Sequence, residues 1–383
     1  MIKKAAMLAF AISMALMAGK PMFAQDDKVP SGVPEIDHAF VIMMENHSYQ
    51  QIIGNTNAPF INSYAKSANL ATNYYGVGHP SLTNYLEVVG GSNFGVINDF
   101  SPDWHNATCT PNIVSGVISN EASTANICPI AGKGVDGATP AVDSTNEGSS
   151  TSPVYNYPAY GPAKTVGKTI ADQLNEREMS WRSFQENLPP YGADKVNTSD
   201  GLVSNVTEAE PGQPQLYAVK HNPFVYFANV QKNELNKIVT FDKLFADLAD
   251  GNVPNLAFIS PNQCHDQHGR GTSEMGTGCN VDQNAIAQGD AGLSTIIKAI
   301  KASPMWSKGK NVIVTVWDEN DYGTEPNQVV TIVDTNSGPK GLTSSTFYNH
   351  FSLLKTLEAG FGLPCLNHAC DKDVTVMSDL FKF

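Results

Sequence analysis

The sequence predicts an α/β fold, a three-layer sandwich in which helices cover both faces of a central, mostly parallel β-sheet. Three apolar runs have the length and the β-branched and aromatic content of buried strands, and they lie at residues 39–44, 255–260 and 311–317. Segments with helical periodicity lie between and after these strands. Strands that alternate with helices are typical of a layered sheet covered on both faces.

The predicted helices follow in chain order. The first long one begins at Ser81, because the apolar residues behind it recur at helical spacing; they are Leu82, Tyr85, Leu86 and Val89. This spacing places Ser81 at the N-terminal cap of the helix. Residues 169–174 then form an amphipathic helix, and residues 181–184 suit a short strand. Further helical patterns occur at residues 241–250, 283–302 and 350–358.

The N-terminal region predicts export. Residues 1–24 have the pattern of a signal peptide, with Lys3 and Lys4 before an apolar stretch that is too short for a comfortable membrane span. An uncleaved anchor is the alternative interpretation. We therefore expect a secreted or periplasmic protein.

The rest of the chain reads as one domain at residues 36–383, preceded by a disordered lead-in at residues 25–35. Residues 100–165 are rich in Ser, Thr, Gly, Pro and Asn and poor in apolar periodicity. Such a segment lacks the apolar content for a core of its own, which favours a loop-rich insertion over a second domain.

The net charge restricts the partners. The formal charge is −13, and removal of residues 1–24 makes it −16 because it takes away three lysines and no acids. An acidic surface argues against nucleic acid as a specific partner. It also repels an anionic substrate unless a bound cation reverses the local field. No later segment is apolar enough for stable insertion into a membrane.

Six cysteines in an exported chain favour three disulfides over a metal cluster. Several pairings are open. Pairing neighbours along the chain would close loops without crossing the sheet, and it gives Cys109–Cys128, Cys264–Cys279 and Cys365–Cys370.

Each of the three predicted strands ends at side chains that can bind a metal ion. In chain order these are Glu45 and Asn46, then Asp266 and His268, then Asp318 and Glu319. Taken alone, the first pair suits a helix cap and the second a polar surface loop. In open α/β sheets, however, ligands bind beyond the carboxyl ends of the strands. Three such endings together predict one site for a hard divalent cation.

Ser81 is the candidate nucleophile. A serine at a helix start is most often only a cap. The same position places its hydroxyl at the positive end of a helix, where phosphate binds well. A neighbouring cation would also lower the pKa of the hydroxyl enough for attack.

Six short motifs, in this order, resemble the bacterial and fungal phosphoesterase family of the alkaline-phosphatase superfamily. They are MMENHSY (43–49), HPSLTNY (79–85), KHNPF (220–224), SPN (260–262), WDE (317–319) and YNHFSLL (348–354). The resemblance spans roughly residues 37–366. It implies an alkaline-phosphatase-like fold with a phosphoesterase catalytic domain. The family contains acid phosphatases and phosphatidylcholine-type phospholipases C.

The resemblance also implies roles for individual residues. Ser81 matches the nucleophile and His350 a late active-site histidine, while His221 and Asn84 are expected to contact phosphate. A histidine among His79, His221 and His350 would protonate the leaving oxygen. The implied metal ligands are Glu45, Asn46, Asp266, Asp318 and Glu319, with His268 as an addition. Calcium, zinc, magnesium and manganese all remain open.

The sequence thus predicts a secreted, metal-dependent phosphomonoesterase, similar to acid phosphatases, that acts on a phosphate-ester substrate through a phosphoserine intermediate. A phospholipase C-type phosphodiesterase is the alternative, with the same chemistry and a pocket for a second ester group. Serine at position 81 resembles the phosphatase branch, since the phospholipases often have threonine there. A non-catalytic secreted protein that binds a metal or ligand is the alternative of another class. Loss of the nucleophile or of a metal ligand would favour it, but the sequence has a suitable residue at each of these positions. The oligomeric state stays open.

Overall fold

The computed structural model describes residues 28–94, 141–142, 164–165, 167–188, 216–227, 229–269, 282–321 and 326–383. The predicted signal peptide and most of the predicted insertion at residues 100–165 lie outside these ranges. Among the described residues, no helix combines the length and the apolar character that a membrane crossing requires.

Eight strands form the central sheet, and two small sheets of two strands each accompany it. In chain order the strands are β1 (His38–Met44), β2 (Asn69–Ala71), β3 (Tyr74–Tyr75), β4 (Ala141–Val142), β5 (Lys164–Thr165), β6 (Trp181–Gln185), β7 (Ile238–Thr240), β8 (Leu256–Ser260), β9 (Asn311–Trp317), β10 (Thr331–Thr335), β11 (Thr343–Ser344) and β12 (Tyr348–Asn349). The central order is β11-β2-β10-β9-β1-β8-β6-β7. The three long predicted strands and the short one at residues 181–184 are all confirmed.

The sheet is mostly parallel, and β1 lies near its centre. β1 pairs in parallel with β8 on one side and with β9 on the other. β6 and β7 continue the parallel set, whereas β10 runs antiparallel to both β9 and β2. From Ala39 to Met44 every residue of β1 is at most 1% exposed. A strand buried on both faces reads as a continuous apolar run, which is why the sequence reveals it.

The helices form two packed groups, which are the outer layers of the sandwich. In chain order they are α1 (Tyr49–Ile52), α2 (Pro59–Ser67), α3 (Ser81–Gly90), α4 (Ile170–Glu176), α5 (Phe241–Asp250), α6 (Asp282–Ala302) and α7 (His350–Phe361). Helix α6 packs against α2 and α5, while α3 packs against α4 and α7. The predicted α/β fold class is confirmed.

The predicted helices are present with small shifts in their bounds, and one detail is wrong. Ser81 is the first residue of α3, and Pro80 is the N-cap, with extended backbone angles of φ −81° and ψ −174°. The Ser81 hydroxyl does not cap the helix, because it points to carboxylates from other parts of the chain. In α4, by contrast, Thr169 caps the helix with its side chain in a capping box.

One predicted disulfide is confirmed, between Cys365 and Cys370. Cys264 is also disulfide-bonded. Its predicted partner Cys279 lies outside the described residues, as do Cys109 and Cys128.

One buried glutamine connects two strand ends that carry the predicted metal ligands. Gln267 has a left-handed backbone, with φ +83°, in the loop after β8. Its Oε1 accepts a hydrogen bond of 2.8 Å from Nε1 of Trp317, the last residue of β9, and its Nε2 donates to the carbonyl of Ile286 in α6 at 3.1 Å. Gly289 leaves room for this side chain, since a Cβ there would lie 2.2 Å from Gln267 Cγ. The loop after β8 is thereby held against the end of β9.

We expect Gln267→Ala to lower the free energy of unfolding by about 2 kcal/mol, because it leaves the buried Trp317 N–H without its partner. Urea denaturation measures the change. Gln50→Ala is the matched control, since Gln50 is exposed and its side chain donates to that of Gln328, and a surface change costs about 0.5 kcal/mol or less. Equal stability of the two variants would contradict the bridging role.

Candidate active site

Four carboxylates meet at the carboxyl edge of the central sheet. Glu45 follows β1, Asp266 lies in the loop after β8, and Asp318 and Glu319 follow β9. All four are at most 2% exposed. The Glu45 amide donates to the Asp266 carbonyl at 2.8 Å, which ties the first two strand ends together. The structure thus brings the acids that follow three separate strands into one place.

Asn46 and Asp318 present oxygens that suit a cation. Asn46 has φ +58°, a conformation that asparagine tolerates better than most residues. Its backbone N–H donates to Asp318 Oδ1 at 3.1 Å. The Oδ1 of Asn46 and the Oδ2 of Asp318 are both buried and have no hydrogen-bond partner among the described residues. Buried acceptors are rarely left unpaired. A divalent ion would satisfy both, so the residues present fit the predicted metal.

Ser81 lies among charged groups from three other segments. Its Oγ is 3.2 Å from Glu45 Oε2 and 3.2 Å from Glu319 Oε1. It is also 3.1 Å from the Nζ of Lys220. The residue is 2% exposed, and its hydroxyl has only one hydrogen to donate. The hydroxyl therefore donates to one carboxylate and accepts from the lysine.

The start of α3 orients Glu319. His79 Nδ1 is 2.8 Å from Glu319 Oε2, and Asn84 Nδ2 donates to the same oxygen at 3.1 Å. The Asn84 Oδ1 accepts from the amides of Val77 and Gly78 at 2.9 and 3.0 Å. Asn84, expected at the phosphate, uses its side chain here to hold the loop before α3 and the Glu319 carboxylate.

His221 lies between two of the acids. Its Nε2 is 2.5 Å from Glu45 Oε1 and its Nδ1 is 3.1 Å from Asp266 Oδ2, while its ring stacks on Tyr85 at 5.1 Å. Burial alone would lower the pKa of His221, but the two carboxylates raise it above its usual value. Both ring nitrogens therefore face carboxylates.

Burial and neighbouring charges shift the pKa values of these acids in opposite directions. Burial raises the pKa of Asp266 to about 6. Burial, and then repulsion from Glu45 and Glu319, raises the pKa of Asp318 well above its usual range. Burial also opposes ionisation of Glu45, but His221 and Lys220 more than offset it and lower the Glu45 pKa. A cation beside Asp318 would supply the positive charge that this carboxylate lacks.

His268 lies in the loop after β8, next to a lysine. Its amide donates to Asp266 Oδ1 at 2.7 Å, and its Nε2 is 3.1 Å from Lys220 Nζ. Glu45, His221 and His268 offer ligand atoms within 4.8 Å of one another, close enough for one metal ion. Two places in the site are thus suited to positive charge.

His350 supports the site from behind. It is fully buried, its Nε2 donates to the carbonyl of Asp318 at 2.6 Å, and its Nδ1 accepts from the Tyr74 hydroxyl at 3.1 Å. Burial lowers the pKa of His350 to about 4, so the ring is neutral at pH 7. The bond from Tyr74 thus holds the ring in place, and the ring holds the backbone of Asp318.

Lys220 is a residue of the site to which the sequence analysis assigned no role. It is only 2% exposed, although lysine is rarely buried without a reason. The available signal was its position beside His221 in an otherwise apolar stretch of the chain.

Residues 55–364 match the model of the phosphoesterase family. The chain belongs to this family. Members hydrolyse phosphoric esters, and membership assigns this chemistry to the protein.

Three relatives are similar over most of the chain. A phosphatidylinositol-3-phosphatase of Mycobacterium tuberculosis is 27% identical over 88% of this chain and 81% of its own length. An acid phosphatase of Aspergillus fumigatus is 25% identical and a phosphate-repressible acid phosphatase of Penicillium chrysogenum 26% identical, each over 85% of this chain. The chain spans 55% and 59% of these two fungal proteins.

Two solved structures are distantly similar. A protein of the alkaline phosphatase superfamily from Vibrio parahaemolyticus is 14% identical, with 90% of this chain and 74% of that one aligned and a TM-score of 0.48. The phosphonate monoester hydrolase of Agrobacterium radiobacter is 11% identical, with 90% and 77% aligned and a TM-score of 0.42.

We expect the protein to bind a divalent cation and Asp318→Asn to weaken that binding about 100-fold or more, because the change removes a charged ligand at the buried oxygen pair. Titration calorimetry with manganese measures the affinity. Asp334→Asn is the matched control, since Asp334 is an equally buried carboxylate that pairs with Lys301 and Lys340. Unchanged manganese affinity in Asp318→Asn would rule out this site.

Proposed function

We propose that the protein is a metal-dependent phosphomonoesterase that forms a phosphoserine intermediate at Ser81. The observation that carries the proposal is the position of the Ser81 hydroxyl. It lies at the first residue of α3, within 3.2 Å of two carboxylates and 3.1 Å of an ammonium group. A serine whose role was only to begin a helix would not require three charged groups around its hydroxyl.

The first step is attack by Ser81 on phosphorus. The Oγ–H bond breaks and its proton passes to Glu45 or Glu319, the two carboxylates within hydrogen-bonding distance. The Oγ–P bond forms while the bond from phosphorus to the leaving oxygen breaks. The positive end of α3 faces the phosphoryl group and stabilises its oxygens. Water then releases phosphate from Ser81.

We assign protonation of the leaving oxygen to His79. Its Nδ1 is held by Glu319 at 2.8 Å, which fixes the ring beside the nucleophile only two residues away. The other predicted acids, His350 and His221, have partners of a different kind. His350 donates to the backbone carbonyl of Asp318, and His221 lies between the carboxylates of Glu45 and Asp266. The carboxylate orients the His79 ring, so its Nε2 is the atom that gives up the proton.

We assign the metal to the oxygens of Asn46 and Asp318, with Glu45 and Glu319 beside them. A divalent ion there would supply electrostatic stabilisation of the charge that develops during the reaction. All four side chains offer oxygen, which suits magnesium, calcium or manganese, and zinc also binds carboxylate oxygen.

Action on monoesters is supported by the relatives named above, which are all called phosphatases. A phospholipase C-type diesterase remains the alternative. p-Nitrophenyl phosphate and its phosphocholine diester share a leaving group, so their relative turnover distinguishes the two functions. Faster turnover of the diester would favour the alternative.

We also propose export to the periplasm or the medium. The disulfide between Cys365 and Cys370 supports this, because disulfides persist in oxidising compartments. Fractionation of the producing cells tests it, and a cytoplasmic location would exclude it.

We expect Ser81→Ala to reduce turnover of a phosphomonoester by several orders of magnitude, because it removes the attacking oxygen. Rapid acid quenching of the wild type should leave the phosphoryl label on the peptide that contains Ser81. Thr169→Ala is the control, since it removes a true helix cap, costs about 1 kcal/mol of stability and leaves the site intact. Near-normal turnover of Ser81→Ala without a labelled peptide would exclude the mechanism.

A further inference from the structure

Lys220 touches the reacting atom. We propose that its ammonium group is a catalytic charge that takes the place of a second metal ion, by donating to Ser81 Oγ and by occupying His268. The proposal rests on Ser81 being the nucleophile, as proposed above. It assigns one resident metal to the site, at the oxygens of Asn46 and Asp318.

The contact with Ser81 fixes what Lys220 does in the reaction. The hydroxyl has one hydrogen, which goes to a carboxylate, and it accepts the hydrogen bond from Lys220 Nζ at 3.1 Å. When the hydroxyl proton leaves, negative charge grows on Oγ and the bond from the ammonium becomes charge-assisted at both ends. Lys220 keeps its own protons throughout and stabilises this charge until the Oγ–P bond has formed.

The second cation position lies among Glu45, His221 and His268, whose ligand atoms are close enough for one ion. An ion at this place would need the lone pair of His268, which is already in use. Nε2 of His268 lies 3.1 Å from the Lys220 ammonium group, which can only donate. One lone pair of His268 cannot accept from an ammonium group and bind a metal at once. Lys220 and a metal therefore exclude each other here.

The backbone holds Lys220 in this place. It lies in a short 3-10 helix, Val219–His221, that packs against α3 and also carries His221. Lys220 is 2% exposed, so its side chain has little freedom to leave for solvent. A fixed charge of this kind needs no reorganisation during the reaction, which is the condition for strong electrostatic stabilisation.

The decisive experiment counts zinc ions per chain on dialysed protein, without substrate, in wild type, Lys220→Met and Lys220→Arg. Zinc is the probe because histidine ligands favour it. We expect one zinc in wild type and in Lys220→Arg, and two in Lys220→Met. Adding His268→Ala to Lys220→Met should return the count to one. Lys301→Met is the control and should bind one zinc, because it removes a lysine that pairs with Asp334.

His268→Ala in the wild-type background keeps the test decisive if Lys220→Met does not fold. We expect it to change the zinc count and affinity little. A second zinc in wild type, with an affinity that His268→Ala lowers tenfold or more, would overturn the proposal. A single zinc in folded Lys220→Met would overturn it as well.

Rapid quenching adds the catalytic readout. Phosphorylation of Ser81 should slow about 100- to 1,000-fold in Lys220→Met, as for loss of one donor to a reacting oxygen, and Lys220→Arg should recover most of the rate. An unchanged rate in Lys220→Met would refute the catalytic role. Failure to label Ser81 in wild type would instead refute the proposed nucleophile, and the zinc counts would still stand.

Discussion

The rest of the site depends on the burial of four carboxylates at one edge of the sheet. Acids at most 2% exposed repel one another and lose their hydration, and each such charge is costly unless it is paired. Histidines from other segments of the chain therefore pair with these carboxylates. His221 serves Glu45 and Asp266, while His79 serves Glu319. Among the described residues the Oδ2 of Asp318 has no hydrogen-bond partner, which indicates where a metal belongs.

The backbone makes this concentration of charge possible. β1 pairs with both β8 and β9 in parallel, so three strands deliver their C-terminal residues to the same edge. Two residues with positive φ turn the chain beyond two of these ends, Asn46 two residues after β1 and Gln267 seven residues after β8. The hydrogen bonds of Gln267 and the contact of His350 with the Asp318 carbonyl then hold the turns in place.

Much of this could be predicted from the sequence, and the limits have physical reasons. Strands β1, β8 and β9 are visible because a strand buried on both faces is a continuous apolar run, and the acids at their ends are visible by position. The N-cap was predicted at Ser81, one residue later than the observed cap Pro80, since helix periodicity does not show where the hydroxyl points. The place of Lys220 and the partners of His350 depend on contacts between residues far apart in the chain. No local pattern encodes such contacts.

Gly289 shows how far the requirements of the site extend into the scaffold. It lies in the middle of α6, carries no side chain and touches none of the reacting groups, yet the space above it is filled by Gln267. A methyl group at this position would displace the glutamine that connects the loop of Asp266 and His268 to the end of β9. A larger residue at position 289 would therefore require a smaller one at position 267. A helix residue without any function of its own is thus constrained by catalysis.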